Sequence, residues 1–459
     1  MSELVYKNMK DTDIELYNLI MDEKQRQEES IELIASESYV SVPVLQASIS
    51  LLHNKYSEGM VGERYYGGTD VIDKIESLCK DRALRVFGLD ENVWGVNVQP
   101  YSGAIANFEI YNALIGPGGR LMGLDLFSGG HLSHGFKIEN RKISVTSKYF
   151  ESYPYKLKND GSIDYEQMQR DFVHNKVNIL IGGASAYPRD FDYKRMRKIA
   201  DLNNAYLMAD IAHISGLVAC GKMNNPFEYC DVVMTTVQKM LKGPKAAMIF
   251  YRKEKNGVNI QNLTNRSVFP GCQGGPHNQT IAGIAAALKI AKSEEYRNFI
   301  DQVLLNMQAM TKVFLESGVK LLTNGTINHL AMLDMRNICM DGRVFSLDGS
   351  LFEWVCNFVN ISLNKNSLPD DTSCLHPNGI RVGTVSVTTR GFKEDGCTRI
   401  AEMLVEIMKK LGSYESLSVE EMKERVKKDK WFAEMRDRVR ETVKGYPIPG
   451  ADLFEKSNN

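Results

Sequence analysis

The chain has no CxxC pair: its cysteines, at positions 79, 220, 230, 272, 339, 356, 374 and 397, are scattered singly. That spacing excludes a zinc ribbon, a dithiol redox motif and a disulfide framework, and it fits a reducing, cytoplasmic setting. No run reaches about 18 consecutive apolar residues, so no transmembrane helix is predicted. Charge of one sign is not in excess either, with 56 basic against 57 acidic residues. A basic footprint for nucleic acid or a polybasic membrane face is thereby excluded, and a small molecule is the expected partner. The opening MSELVYKNMKDTDIELYNL has early acidic residues and no apolar stretch, unlike a signal or transit peptide. Internal repeats and low-complexity tracts are missing as well.

What is present is 459 residues with 43% apolar content, enough for a large core and roughly two to three domains. A capping-box pattern, Thr12 to Glu15, predicts an N-terminal helical arm over 1–35. From about 93 to 252, β-rich runs (VWGVNV, RLMGLD, VNILIGGA, AYLMAD) alternate with helical segments (IANFEIYNALI, DYKRMRKIADLNN). That alternation predicts a doubly wound α/β unit over 36–290 with a mostly parallel sheet. DVVMTT and AAMIFY are too close for a crossover helix, so they pair antiparallel. After the Gly/Pro-rich loop FPGCQGGPHNQ come the helix TIAGIAAALKIA and a longer helix to about 316. The remainder, 291–459, reads as a smaller α+β domain with strands VKLLT, HLAMLDM and IRVGT. A second capping box, Ser418 to Glu421, opens a charged C-terminal helix whose KERVKKDK run is a solvated face.

Ligands of open α/β sheets gather at the carboxyl ends of strands. Asp210 closes AYLMAD, His213 follows it, and Lys239 follows DVVMTTVQ. Singly these read as a helix cap, a core histidine and a solvated charge. Together they match a pyridoxal phosphate site, which needs a lysine for the Schiff base and an acid for the pyridine nitrogen. PYSGAIAN supplies Ser102 and Gly103 at a strand-to-helix loop whose N–H groups suit a phosphate. His131 and His134, at i and i+3 in GGHLSHGF, have no neighbouring Cys, Asp or Glu to complete a metal set. Stacking on a planar cofactor is the better use for one of them, and no metal is predicted. Arg381 in NGIRVGT suits a substrate carboxylate or a surface ion pair. Lys242 reads as a loop charge remote from the phosphate.

The stretches ELIASES, NKYSEG, RYYGGTDVID, WGVNVQPYSG, MGLDLFSGGHLSHGF, AYLMADIAHISGL, QKMLKGP, FPGCQGGPHNQTIAG, NKNSLP and GIRVGT resemble, in order, those of the serine hydroxymethyltransferase family. The resemblance covers nearly the whole chain. It implies a fold-type I pyridoxal phosphate enzyme that moves the serine hydroxymethyl group to tetrahydrofolate, giving glycine and methylenetetrahydrofolate. By that resemblance Lys239 carries the cofactor, Asp210 pairs with its pyridine nitrogen, and His131 stacks on its ring. His213 and Ser185 neighbour the phenolic oxygen, with Thr236 in the catalytic set. Ser102 and Gly103 hold the phosphate, helped by Tyr56 and Gly275 across a subunit boundary. Arg381 takes the substrate carboxylate with Ser36, and Tyr66 reaches over from a second chain. Glu58 transfers a proton between the serine hydroxyl and the folate, a task suited to a partly buried carboxyl. Tyr65, Leu126, Leu132, Phe269 and Asn366 occupy the folate positions. An obligate homodimer is implied, and Gly118, where animal-type tetramers carry histidine, favours the dimer.

Several residues depart from the family's usual pattern. Gln238 stands where histidine precedes the lysine, Val237 replaces threonine, and Ala104 removes a hydroxyl from the phosphate loop. Met60 and Val61 replace the tyrosine and proline after Glu58, Lys245 stands for arginine, and Val385 for proline. Gln238 cannot titrate. The loss at position 104 corresponds to about 0.5–1.5 kcal/mol of cofactor binding. Catalysis that is retained but tuned is the expectation. A folate-independent aldolase for 3-hydroxy amino acids and a non-catalytic regulatory paralogue are the alternative readings.

Overall fold

The computed structural model describes residues 4–139, 141–373, 376–414 and 416–456; Cys374 lies outside them. The central sheet has seven strands: β1 (Trp94–Asn97), β2 (Arg120–Met122), β3 (Glu151–Ser152), β4 (Ile179–Gly183), β5 (Tyr206–Asp210), β6 (Val232–Thr236) and β7 (Ala247–Arg252). Their order is β1-β7-β6-β5-β4-β2-β3. The pairs β6/β5, β5/β4, β4/β2 and β2/β3 are parallel. β7 runs against both its neighbours, with Thr236 opposite Ala247, as the short connection predicts.

Why these runs become strands buried on both faces is visible in their side chains. Along β5 and β6, Leu207, Ala209 and Val233 enter one hydrophobic core while Met208, Val232 and Met234 enter another on the opposite face. Alternate residues feed opposite layers, so each strand is a continuous apolar run up to its polar carboxyl end. Helices cover both faces. In helix Tyr193–Asp201, Asp192 accepts from the Arg195 N–H at 2.8 Å, and Tyr193, Met196, Ile199 and Ala200 make its buried stripe.

A second core lies under a four-stranded antiparallel sheet of β8 (Lys320–Leu321), β9 (Leu330–Asp334), β10 (Asn364–Asn366) and β11 (Gly379–Gly383), in the order β8-β9-β11-β10. Helix Glu294–Glu316 joins the two: Tyr296, Ile300 and Val303 pack in the first core, Met307, Met310 and Phe314 in the second. We propose the division 1–35, 36–290 and 291–459; the two cores support two main units, with Ile31 and Leu33 of the arm packing in the second and the start of helix Glu294–Glu316 in the first.

Three local expectations are corrected. The first long helix, Ile14–Glu28, is capped by Asp13, which accepts from the Leu16 N–H at 2.9 Å. Thr12 ends the preceding turn and bonds back to the Asn8 carbonyl. The anionic side chain one residue nearer the helix wins. The Ser418/Glu421 capping box forms, but its helix stops at Lys428. Asp429 caps a new helix, Lys430–Val443, and pairs with Lys410 at 2.9 Å. Lys242 is no solvated loop charge: its Nζ sits 3.4 Å from the Phe299 ring centroid, and burial pushes it down to about 8.

Glu109, on helix Gly103–Leu114, is fully buried and neither carboxyl oxygen has a partner among the described residues. Burial pushes it up to about 8. The folded state therefore holds a proton that the unfolded chain releases, so this group lowers stability as pH rises from about 4.5 to about 8. Against Glu109→Gln, the wild type is expected to lose roughly 3–5 kcal/mol more between about pH 4.5 and pH 8. Melting temperatures of the two proteins, measured side by side across that range, read the difference directly.

Candidate active site

Five loops leave the carboxyl ends of the sheet and meet around a cavity of about 190 Å³. Ser102 and Gly103 follow β1, His131 follows β2, Ser185 follows β4, Asp210 ends β5 with His213 just beyond, and Thr236 ends β6 with Gln238 and Lys239 beyond it. Parallel strands in this order deliver the ends of distant segments to one edge.

Ser102 is the extended N-cap of helix Gly103–Leu114 and makes no side-chain cap bond, leaving its hydroxyl and the first helical N–H groups for an anion. A Cβ on Gly103 would fall 2.6 Å from Thr236 Cγ2, so only glycine allows β1's loop to approach β6. Lys239 Nζ donates to Thr236 Oγ1 at 3.0 Å. Burial pushes this lysine down to about 8, with Arg381 acting in the same sense and Asp210 opposing. About a tenth of it is then the neutral, nucleophilic amine at pH 7, far more than for an ordinary lysine.

Asp210 accepts from His134 Nε2 at 2.9 Å, from Asn107 Nδ2 at 3.0 Å and from the Ala212 N–H at 3.1 Å. Burial alone would push its pKa up, but the His134 hydrogen bond and the nearby imidazoles hold the carboxyl ionised, below the usual range. His131, by contrast, is pushed down to about 4 by burial and by His134, so it is a neutral ring. Its Nδ1 bonds to Ser133 Oγ at 2.7 Å. His213 is also held neutral by burial and by Lys239, and its ring stacks on buried His329 at 5.7 Å.

His134 and Asn107 are the functional residues that sequence reasoning missed. The signal for His134 was its place three residues after His131, a spacing weighed for a metal and not for a carboxylate. That for Asn107 was a polar residue amid the apolar positions of a buried helix.

Arg381, 8% exposed on β11, donates to the Ser185 carbonyl at 2.7 Å and to Asn364 Oδ1 at 3.1 Å. It stands behind the cavity wall and not in its lining, and burial pushes it down to about 10. Ser36 lines a neighbouring cavity of about 310 Å³ that shares Gln238 with the first. Leu126, Leu132 and Asn366 line a third, of about 250 Å³, that shares His131 and Ser185.

The remaining sequence-predicted residues lie apart from these in the same chain. Tyr65 and Phe269 meet edge to face at 5.7 Å in a groove that also holds Met60 and Val61. Tyr56 and Tyr66, 63% and 45% exposed, meet at 5.7 Å. Tyr56 packs on Gly275, and partly buried Glu58 lies near Gly274. None of these lines the cavity around Lys239.

The residues present fit pyridoxal phosphate. Asn107 Oδ1, His213 Nδ1 and Gln238 Oε1 are buried at the cavity without a hydrogen-bond partner among the described residues. Orphaned polar atoms converging on a polar cavity mark a place for a polar ligand. An anion cradle, a neutral ring, an ionised acid and a depressed lysine complete the set.

A profile of the serine hydroxymethyltransferase family matches residues 9–404. Cytosolic serine hydroxymethyltransferase of Encephalitozoon cuniculi is 51% identical over 401 residues, covering 86% of each chain. The chloroplastic serine hydroxymethyltransferase 3 of Arabidopsis thaliana is 46% identical over 96% of this chain and 84% of its own. The cytosolic protein of Oryctolagus cuniculus is 44% identical over 98% and 96%. With its fold, its cavity and these relatives, the chain belongs to the serine hydroxymethyltransferase family.

Proposed function

We propose that Lys239, Asp210, His131, His213, Thr236, Ser102, Gly103 and Ser185 carry the family's reaction in this chain: the reversible, pyridoxal-phosphate-dependent transfer of the serine hydroxymethyl group to tetrahydrofolate. The cofactor, when bound, supplies an electron sink that weakens bonds at the amino acid's α-carbon. The observation that carries the assignment is Lys239 and ionised Asp210 facing one cavity from adjacent strands, among three unpartnered polar atoms. Ser102 and the helix N-terminus behind Gly103 would bind the phosphate. Asp210, fixed by His134 and Asn107, would hold a proton on the pyridine nitrogen. Neutral His131 would cover the ring, and His213 with Ser185 would border its phenolic oxygen. Arg381, with Ser36, would orient the substrate carboxylate by paired hydrogen bonds.

We further propose that Tyr56, Glu58, Tyr65, Tyr66 and Gly275 complete the site of a second copy of the chain, making a homodimer. The exposure of the three tyrosines, and the separation of all five residues from the cavity of their own chain, support this. Glu58 would then move a proton at the serine hydroxyl, while Tyr65, Phe269, Leu126, Leu132 and Asn366 would border the folate. A cytoplasmic location is proposed from the cytosolic relatives; among the described residues no helix is long and apolar enough to cross a membrane.

Borohydride reduction of the cofactor-loaded protein, followed by peptide mapping, is expected to place the pyridoxyl label on Lys239. A label on Lys242 or elsewhere would overturn the assignment.

A further inference from the structure

The ring packed against His213 comes from the other unit of the chain. His329 immediately precedes β9, is 1% exposed, and stacks on His213 with centroids 5.7 Å apart and planes 25° apart. Offset rings at this spacing lie in the range where aromatic faces attract. The stack therefore runs from the four-stranded sheet to the carboxyl edge of the seven-stranded one.

A set of hydrogen bonds aims His329 by tying residues 326–329 to the loop after Ser185. Asn328 Nδ2 donates to the Tyr187 carbonyl at 3.0 Å, the Ile327 N–H to the Pro188 carbonyl at 3.1 Å, and Thr326 Oγ1 to that same carbonyl at 3.2 Å. Asn328 Oδ1 accepts from the Leu330 N–H at 3.1 Å, and the His329 carbonyl accepts from the Thr384 N–H at 3.2 Å, so the backbone on both sides of the ring is held. Arg381 reaches the same loop through the Ser185 carbonyl.

The His329 imidazole itself makes no hydrogen bond among the described residues. Neither ring nitrogen has a partner, and the Ala35 backbone beside it lies outside hydrogen-bonding geometry. Buried nitrogens that bond nothing cost stability, so what this side chain gives its neighbour is a ring face. His213 is in a matching state: Nδ1 is buried without a partner, which leaves Nε2 as the nitrogen for the cavity. Among the described residues no hydrogen bond fixes the plane of the His213 ring, and the stack remains to do so. Burial, with the charges of Lys239 and Arg381 nearby, keeps both rings neutral.

We propose that His329 is a positioning residue whose ring, presented from the second unit, fixes the plane of His213 and so keeps Nε2 available to the cofactor's phenolic oxygen. The proposal rests on the reading that His213 borders that oxygen. Its consequence is that the unit carrying Arg381 must be docked on the large sheet for His213 to be held.

The test uses the cofactor-loaded protein and three replacements. His329→Phe keeps a ring and loses the nitrogens, His329→Gln keeps polar atoms and loses the ring, and His329→Ala loses both. Losing the stack is expected to lower kcat for hydroxymethyl transfer about five- to tenfold in His329→Gln and His329→Ala, while His329→Phe stays within about twofold of wild type. The serine KM should change less than kcat, because Arg381 keeps its bonds. The visible absorption band of the bound cofactor, which responds to its phenolic oxygen, should shift in His329→Gln and His329→Ala and match wild type in His329→Phe. A His329→Phe protein as impaired as His329→Gln, or a His329→Gln protein as active as wild type, would overturn the proposal. Because His329 acts through His213, adding His329→Gln to His213→Ala should cost no further kcat. Additive losses would overturn the proposal as well. A His213→Ala protein with wild-type kcat and an unshifted band would instead overturn the reading that His213 borders the phenolic oxygen, and this proposal with it.

Discussion

Replacing Lys239 by alanine is expected to lower kcat/KM for hydroxymethyl transfer on the order of 10³-fold or more, since it removes a group that acts as a unit with the cofactor. Arginine at this position should do no better. Its guanidinium keeps a charge but stays protonated, whereas burial brings Lys239 down to about 8 and frees an amine lone pair. The phosphate cradle at Ser102 and Gly103 is untouched by either change, so cofactor affinity should fall far less than turnover. Cofactor titration followed by fluorescence, beside steady-state kinetics, separates the two. A Lys239→Ala protein within tenfold of wild-type kcat/KM would remove Lys239 from the centre of the site.

Asp210→Asn should be nearly as damaging. Breaking a buried charge pair costs about 3–5 kcal/mol, which corresponds to about 10²–10⁴ in rate. The physical reason is a balance of charge. Asp210 is the carboxylate in the cavity lining, facing Lys239 and the imidazoles of His131 and His134, with Arg381 close behind. With asparagine there, Lys239 loses the influence of Asp210 that raises it and should titrate lower, so the pH–rate profile is expected to shift to lower pH as well as fall. An asparagine offers one acceptor oxygen where the carboxylate offers two, so it cannot satisfy His134 and Asn107 on one side and the Ala212 N–H on the other, and a buried donor is left unpaired. An unshifted profile in Asp210→Asn would mean that the carboxylate does not set the lysine's titration.

The departures from the family pattern find different explanations. Val385 begins the short helix Val385–Thr389 and is buried there, a position that proline or valine can fill. Ala104 lines the cavity without a hydroxyl, and Gln238 Oε1 faces it unpaired. Those two bear on ligand binding; Val385 bears on packing.

Much of this protein was legible in the order of its residues. The continuous apolar runs of β5 and β6, each ended by a polar residue, identify a covered parallel sheet and its ligand edge before any coordinate is known. The close spacing of β6 and β7 dictates their antiparallel pairing. The motifs around Lys239, Asp210 and Ser102 name the chemistry. Helix caps were less legible: Thr12 and Asp13 are adjacent candidates, and the choice depends on a turn formed by Asn8.

What only the tertiary structure decided are contacts between segments far apart in the chain. Asn107 and His134 meet on Asp210 from 103 and 76 residues away, and no local pattern encodes such a meeting. The fully buried state of Glu109, unpartnered among the described residues, is likewise invisible in a largely apolar helix. The two lysines of QKMLKGP differ least in sequence and instructively in space. Both are desolvated, but Lys239 lies in a cavity beside a carboxylate and Lys242 lies on an aromatic ring. The sequence by itself determined which side chains end which strands. The fold decided which of them share a low-dielectric space, and there, where charges interact over short distances without water, a lysine is pushed down to about 8 and an aspartate stays an anion.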